Sequence, residues 1–200
     1  MSARGWLVAA FALSLAGALH WALHRPIARA AGTLVAIDPA QTAPRDATPL
    51  AHGDFTLKPL ADYTIQARVL SRADYAFDPG SALSPTDFAL GWQRMSDSAV
   101  IAQLDIRQSA RFYSYRWPGE PPLPPQEIVR SSANVHLIPA NADVKRSLDR
   151  VRVGTIVTLR GQLVEATRVD GWHWISSLTR EDSGAGACEL MFVREVERRD

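Results

Sequence analysis

The stretch "TIVTLRGQLVEA", residues 155–166, restricts the fold more than any other. Apolar Val157, Leu159 and Leu163 alternate with polar Thr158, Arg160 and Gln162, the period of a half-buried strand. Gly161 interrupts the run at its middle, where glycine marks a bulge or a sharp bend. "RVDG" then supplies a turn, "WHWISSL" a partner strand and "CELMFVREV" a last strand. A long strand that can bend at an internal glycine, followed by a hairpin, fits a small bent barrel of the OB-like kind. A sandwich and an open antiparallel α+β sheet are the alternatives. The expected class is α+β, mostly β, with two or three short helices.

Upstream, "YTIQARVL" alternates in the same way over residues 63–70. "ALSPTDFALGW" carries Ser84 as a cap, Pro85 at a first helical position and Asp87 in the first turn, which predicts a short helix over 85–91. Ser96 repeats the capping signal ahead of Val100, Ile101 and Leu104. "RFYSYRW", 111–117, reads as an aromatic strand, and the five prolines of "PGEPPLPPQ" as a stiff loop. In "SSANVHLIPANADV", 131–144, a strand ends at Pro139 and Asn141 caps a helix over 142–150.

Residues 5–23, "GWLVAAFALSLAGALHWAL", contain no Asp, Glu, Lys or Arg. Nineteen residues at about 1.5 Å each approach the thickness of a bilayer core. The expectation is a transmembrane signal-anchor, with the chain single-pass in a bacterial inner membrane and its domain in the periplasm. The alternative is secretion or periplasmic release after cleavage near Ala30, within "ARA". The implied organisation is an anchor or signal segment over 1–30, an extended linker over 31–60 rich in Ala, Pro, Thr and Asp, and a β-rich globular domain over 61–200.

Several phrases occur together: "ALGWQRMSD", "SANVHLIPA", "SSLTREDSGAGACEL". As a set they resemble a family of uncharacterised bacterial proteins of about this length that begin with one membrane segment. The resemblance spans most of residues 60–195. It implies a membrane-associated bacterial protein and carries over no activity, cofactor or catalytic residue.

The chemistry-bearing residues are sparse. On a strand through 132–137, Ser132, Asn134 and His136 share one face, while Ala133, Val135 and Leu137 share the other. Ser132 and His136 are then about 13 Å apart, too far for a nucleophile and its base. His136 gains a catalytic role only through a partner from elsewhere, and Ser176 or Ser177 with Asp182 are the candidates. Asn134, His136, Arg160 and Trp172 are candidate ligand contacts. Aromatics at Tyr113, Tyr115, Trp117, Trp172 and Trp174, near Arg111, Arg116 and Arg160, could stack on bases or sugars, though most of them suit a small core. "DSGA" at 182–185 matches an aspartic-protease tetrapeptide, but "LTRE" is no apolar strand before it, so a turn is the simpler reading. His136, His173, Cys188 and Glu189 show no metal-ligand spacing, and His20 and His24 sit four apart on the N-terminal helix. A single cysteine, Cys188, excludes an intramolecular disulfide. There is no P-loop, no G-x-G-x-x-G and no G-x-S-x-G.

No cofactor is implied. The net charge of +1 gives no field to attract nucleic acid. The leading expectation is a non-enzymatic binding or assembly module of the cell envelope, with the membrane reached through 5–23 and an envelope protein as partner. A hydrolase built on His136 with Ser176 or Ser177, and an OB-like oligonucleotide- or sugar-binding module, are the alternatives.

Overall fold

A computed structural model describes residues 3–184 and 186–200; for residues 3, 4, 7, 16 and 18–24 it describes the backbone alone. The chain is α+β and mostly β. Its frame is five strands: β3 (Phe55–Asp74), β4 (Thr86–Gly91), β7 (Ser132–Pro139), β8 (Ile156–Arg168) and β10 (Glu189–Arg199). Two short strands, β1 (Ala40–Thr42) and β2 (Leu50–His52), precede them and both pair with β3. β5 (Asp105–Ser109) and β6 (Phe112–Arg116) form a separate two-stranded hairpin between β4 and β7. β9 (His173–Ile175) adds to β8.

The pairings of the five frame strands return on themselves. β3 is antiparallel to β4 and to β8, β4 is antiparallel to β7, β7 is parallel to β10, and β10 is antiparallel to β8. Side chains alternating inward from these strands, among them Tyr63, Phe88, Leu137, Leu159 and Met191, form the largest core cluster. Each such side chain contributes about 1.5–3 kcal/mol by leaving water. A second cluster, around Leu57, Ile138 and Leu190, lies beneath Trp172 and Trp174. A third, around Leu70, Met95 and Ile128, lies beneath Tyr113, Tyr115 and Trp117 of the hairpin and its exit. β7 is therefore covered on both faces.

Gly161 is where the long strands cross most closely. A Cβ there would overlap the carbonyl oxygen of Phe192. The irregularities lie in the partner strands: the register shifts between Val193 and Glu195 of β10 and between Pro59 and Ala61 of β3.

The helix expected over 85–91 is β4 instead, buried at every residue. Pairing on both sides, with Phe88 and Leu90 turned into the core, outweighs a local capping signal worth about 1 kcal/mol. The cap expected at Ser96 belongs to Asp97, which accepts from Ala99 N–H at the start of α2 (Ser98–Ile101). α3 (Pro125–Arg130) begins inside the proline-rich segment, with proline at its first position. α4 (Ala142–Asp149) is capped by Asn141 as expected, through Asp143 N–H and Val144 N–H.

The N-terminus requires a correction. α1 (Ala3–His24) is helical, yet among the described residues no helix is long and apolar enough to cross a membrane. Gly5, Ser14 and Gly17 dilute its described apolar stretch. The transmembrane signal-anchor over 5–23 and the single-pass inner-membrane placement with a periplasmic domain are overturned together. The side chains of His20 and His24 lie outside the described residues. Nor is 31–60 an extended linker throughout, since Val35 is buried in the main core and β1 and β2 lie along β3.

Candidate functional site

β7 places Asn134 and His136 on its outer face, beneath the β5–β6 hairpin and Trp174. His136 is 2% exposed, and its Nδ1 lies 2.9 Å from Asp87 Oδ2, on the neighbouring strand. That contact is close but poorly aligned, so neither atom counts a hydrogen bond. Asp87 Oδ1 instead accepts from Arg111 Nη1 at 2.8 Å. Arg111 Nη2 donates to both oxygens of Asp78, at 2.9 and 3.0 Å. The guanidinium lies 3.8 Å from the centre of the Tyr75 ring and 5.5 Å from that of Trp174. Trp174 in turn packs against the His136 ring at 4.5 Å. Taking Arg111 from the fully buried Asp87 costs about 3–5 kcal/mol, because that carboxylate stays buried without its cation.

Arg111 reaches this position from the hairpin tip. Ser109 faces Phe112 across the hairpin, leaving Ala110 and Arg111 as its two-residue loop, at φ +48° and +71°. A two-residue loop with both φ positive suits Asn-Gly, and side-chain-bearing residues there cost about 1–2 kcal/mol each.

Asn134 donates to the Arg111 carbonyl at 2.8 Å, accepts from Gln108 at 2.7 Å and contacts Cys188 Sγ at 3.6 Å. Burial pushes the Cys188 thiol up to about 11. It is therefore protonated near neutrality and is no activated nucleophile. Ser176 Oγ donates to the Ser177 carbonyl at 2.8 Å and accepts from Leu190 N–H at 3.0 Å. Ser177 Oγ donates to Asp182 Oδ2 at 2.6 Å. Ser177 and Asp182 thus come together, but among the described residues no hydrogen bond joins His136 to either serine. Arg160 pairs on the surface with Glu197 and Glu195. Trp172 packs edge-on against Phe55 and Trp174, away from Arg160. His173 pairs with Glu165 at 2.9 Å, apart from His136.

A groove of about 300 Å³ runs between β6 and the segment 182–188, lined by Tyr113, Tyr115, Ser132, Asn134, Asp182 and Cys188. A wider cavity of about 610 Å³, lined by Trp92, Gln93, Arg130 and Arg180, opens beside the strand ends. Behind it Arg180 lies over the Tyr63 and Trp92 rings and binds Glu189 and the Tyr63 hydroxyl. Burial pushes the Glu189 carboxyl up to about 7, and one of its oxygens has no hydrogen-bond partner.

Sequence reasoning found Asn134 and His136 and missed their real partners. Asp87 read as an acid in the first turn of a helix, and Asp78 drew no reading. The available signal was Asp87 directly before the apolar run "FALGW", since a charge drawn into a buried strand calls for a partner. No protein-family model, no curated protein and no solved structure matches the chain.

Proposed function

We propose that the chain is a non-catalytic binding module built on an OB-like ring, docking a protein partner in the groove between β6 and residues 182–188. The observation that carries the reading is the pairing order. Counting frame strands along the chain, the first pairs with the second and fourth, the second with the third, and the third runs parallel to the fifth. In OB-like barrels ligands lie over the second and third strands, between the loops that follow the first and the fourth. Those strands are β4 and β7 here, and the loops supply Tyr75, Asp78, Trp174 and Asp182. The groove opens on that side.

The other readings have less support. His136 faces Asp87 and the serines bond to backbone and Asp182, so among the described residues the His136–serine pair that a hydrolase would need is not formed. Tyr113 and Tyr115 pack on one another and Tyr115 stacks on Trp117, so their rings are poorly placed to receive bases or sugars.

The test is a photo-crosslinking amino acid at Ser114 or Ser183, with exposed Val169 as the control. A discrete protein adduct from the groove positions, abolished by Asp182→Arg and absent from position 169, is the expected outcome. Equal adducts at 169, or labelling of Ser176 or Ser177 by a fluorophosphonate, would overturn the proposal.

A further inference from the structure

Resting on that reading, we infer that the Asp78–Asp87–Tyr75–Trp174 pocket is a receptor for an arginine side chain of the partner, and that Arg111 fills it in the free protein.

The pocket has the chemistry a guanidinium selects. Two carboxylates present three oxygens to its nitrogens, and aromatic rings flank it at 3.8 and 5.5 Å. An ammonium could satisfy neither the fork geometry nor the planar stacking to the same degree. The occupant now present fits its pocket well and its own backbone badly. Ala110 and Arg111 account for two of the three non-glycine residues with positive φ among the described residues. Arg111 Nε is buried without a partner. Gln108 Oε1 of the hairpin is also buried without a partner, and beneath it Asp87 Oδ2 and His136 Nδ1 face one another at 2.9 Å without the alignment of a hydrogen bond. Buried polar atoms that lack well-formed hydrogen bonds weaken the closed arrangement of the hairpin over the frame. The hairpin is also a sheet of its own, with no strand pairing to the frame. It can lift without breaking the ring, baring Asp87, His136 and Trp174 beside the groove. A partner segment bringing its own arginine would restore the charge pairing without the strained turn.

Arg111→Gly empties the pocket and removes the strain at that position. The variant is expected to bind N-acetyl-arginine methylamide saturably, at least tenfold more tightly than the lysine analogue, and Asp78→Asn in the same background is expected to abolish the binding. In the unmodified protein, amides of 105–116 are expected to exchange at least tenfold faster than those of β4 and β7. The arginine compound should accelerate them further, and the lysine compound should not. Equal binding of the two compounds, no binding by a folded variant, or hairpin exchange only through global unfolding would each overturn the inference. A concentration-dependent dimer of the unmodified protein would also overturn it, by assigning the pocket to hairpins exchanged between copies. Crosslinking from Ser114 or Ser183 is independent of these measurements. If it survives while the arginine compound fails, the groove stands and only its recognition chemistry is refuted.

Discussion

Glu189 enters β10 on the face it shares with Met191 and Val193, so its carboxyl points into the interior of the frame. It is 2% exposed and Arg180 engages one oxygen. Burial dominates, raising its proton affinity from the ordinary 4.5 to about 7. Between these values the folded chain holds a proton that the unfolded chain has released. Stability contributed by this residue is therefore present below pH 4.5 and is lost as pH rises to 7. Glu189→Gln imitates the protonated form. The variant should match the parent at pH 4.5 and exceed it by about 3 kcal/mol at pH 8. Urea titrations of both proteins at the two pH values test this, and parallel stability across the window would refute it. Nothing in "GACEL" announces such a site. An isolated glutamate at a strand start reads as an exposed end, and only Arg180, Tyr63 and Trp92, brought from three other segments, reveal the enclosure. His136 shows the same limit. Its spacing correctly excluded Ser132 as a partner, but Asp87 could not be named, because that contact depends on strand pairing 49 residues apart in sequence.

Among the elements, strands with a clear two-residue period were legible. The runs through 63–70, 111–117, 132–139 and 155–166 all correspond to strands, and the Asn141 cap starts a helix. β4 was not legible, because Ser-Pro-Thr-Asp is a helix start by every local rule and tertiary pairing decides otherwise. Gly161 lies between these cases. A special role was evident from the sequence, but the reason is the approach of β10, with Phe192 O occupying the space of a Cβ. Gly161→Ala must push β8 from β10 or bend one of them, at a cost of about 3 kcal/mol. Thermal and urea unfolding should show that loss, and a neutral substitution would refute the close crossing. The mechanism predicts no difference between Ala and Ser at this site, since the clash lies at Cβ.

For the molecule as a whole, the chain that precedes the frame is bonded along it. Ile27 N–H donates to the Val153 carbonyl at 2.8 Å, and Arg29 donates to the carbonyls of Gly154 and Arg199 at 2.9 and 2.7 Å. Ser98 Oγ donates back to the Arg29 carbonyl at 2.8 Å. Further along, Ser96 Oγ accepts from Leu34 and Val35 N–H at 3.0 Å each and donates to the Gln93 carbonyl at 2.6 Å. Val35 then inserts into the main core, and Asp38 accepts from Trp92 Nε1 at 3.0 Å. A composition of Ala, Pro and Thr suggested a free linker because several of the segment's bonds are made by its backbone, to which composition is blind. One hydroxyl holds two adjacent amides, so Ser96→Ala should strand both in a buried setting and cost about 2–3 kcal/mol. The loss should be accompanied by faster proteolytic cutting within 31–39, while cutting within 155–166 stays unchanged until global unfolding. An alanine variant with parent stability and an equally protected strap would show that these bonds add nothing. Loss of protection in both regions at once would show that strap and frame unfold as one unit.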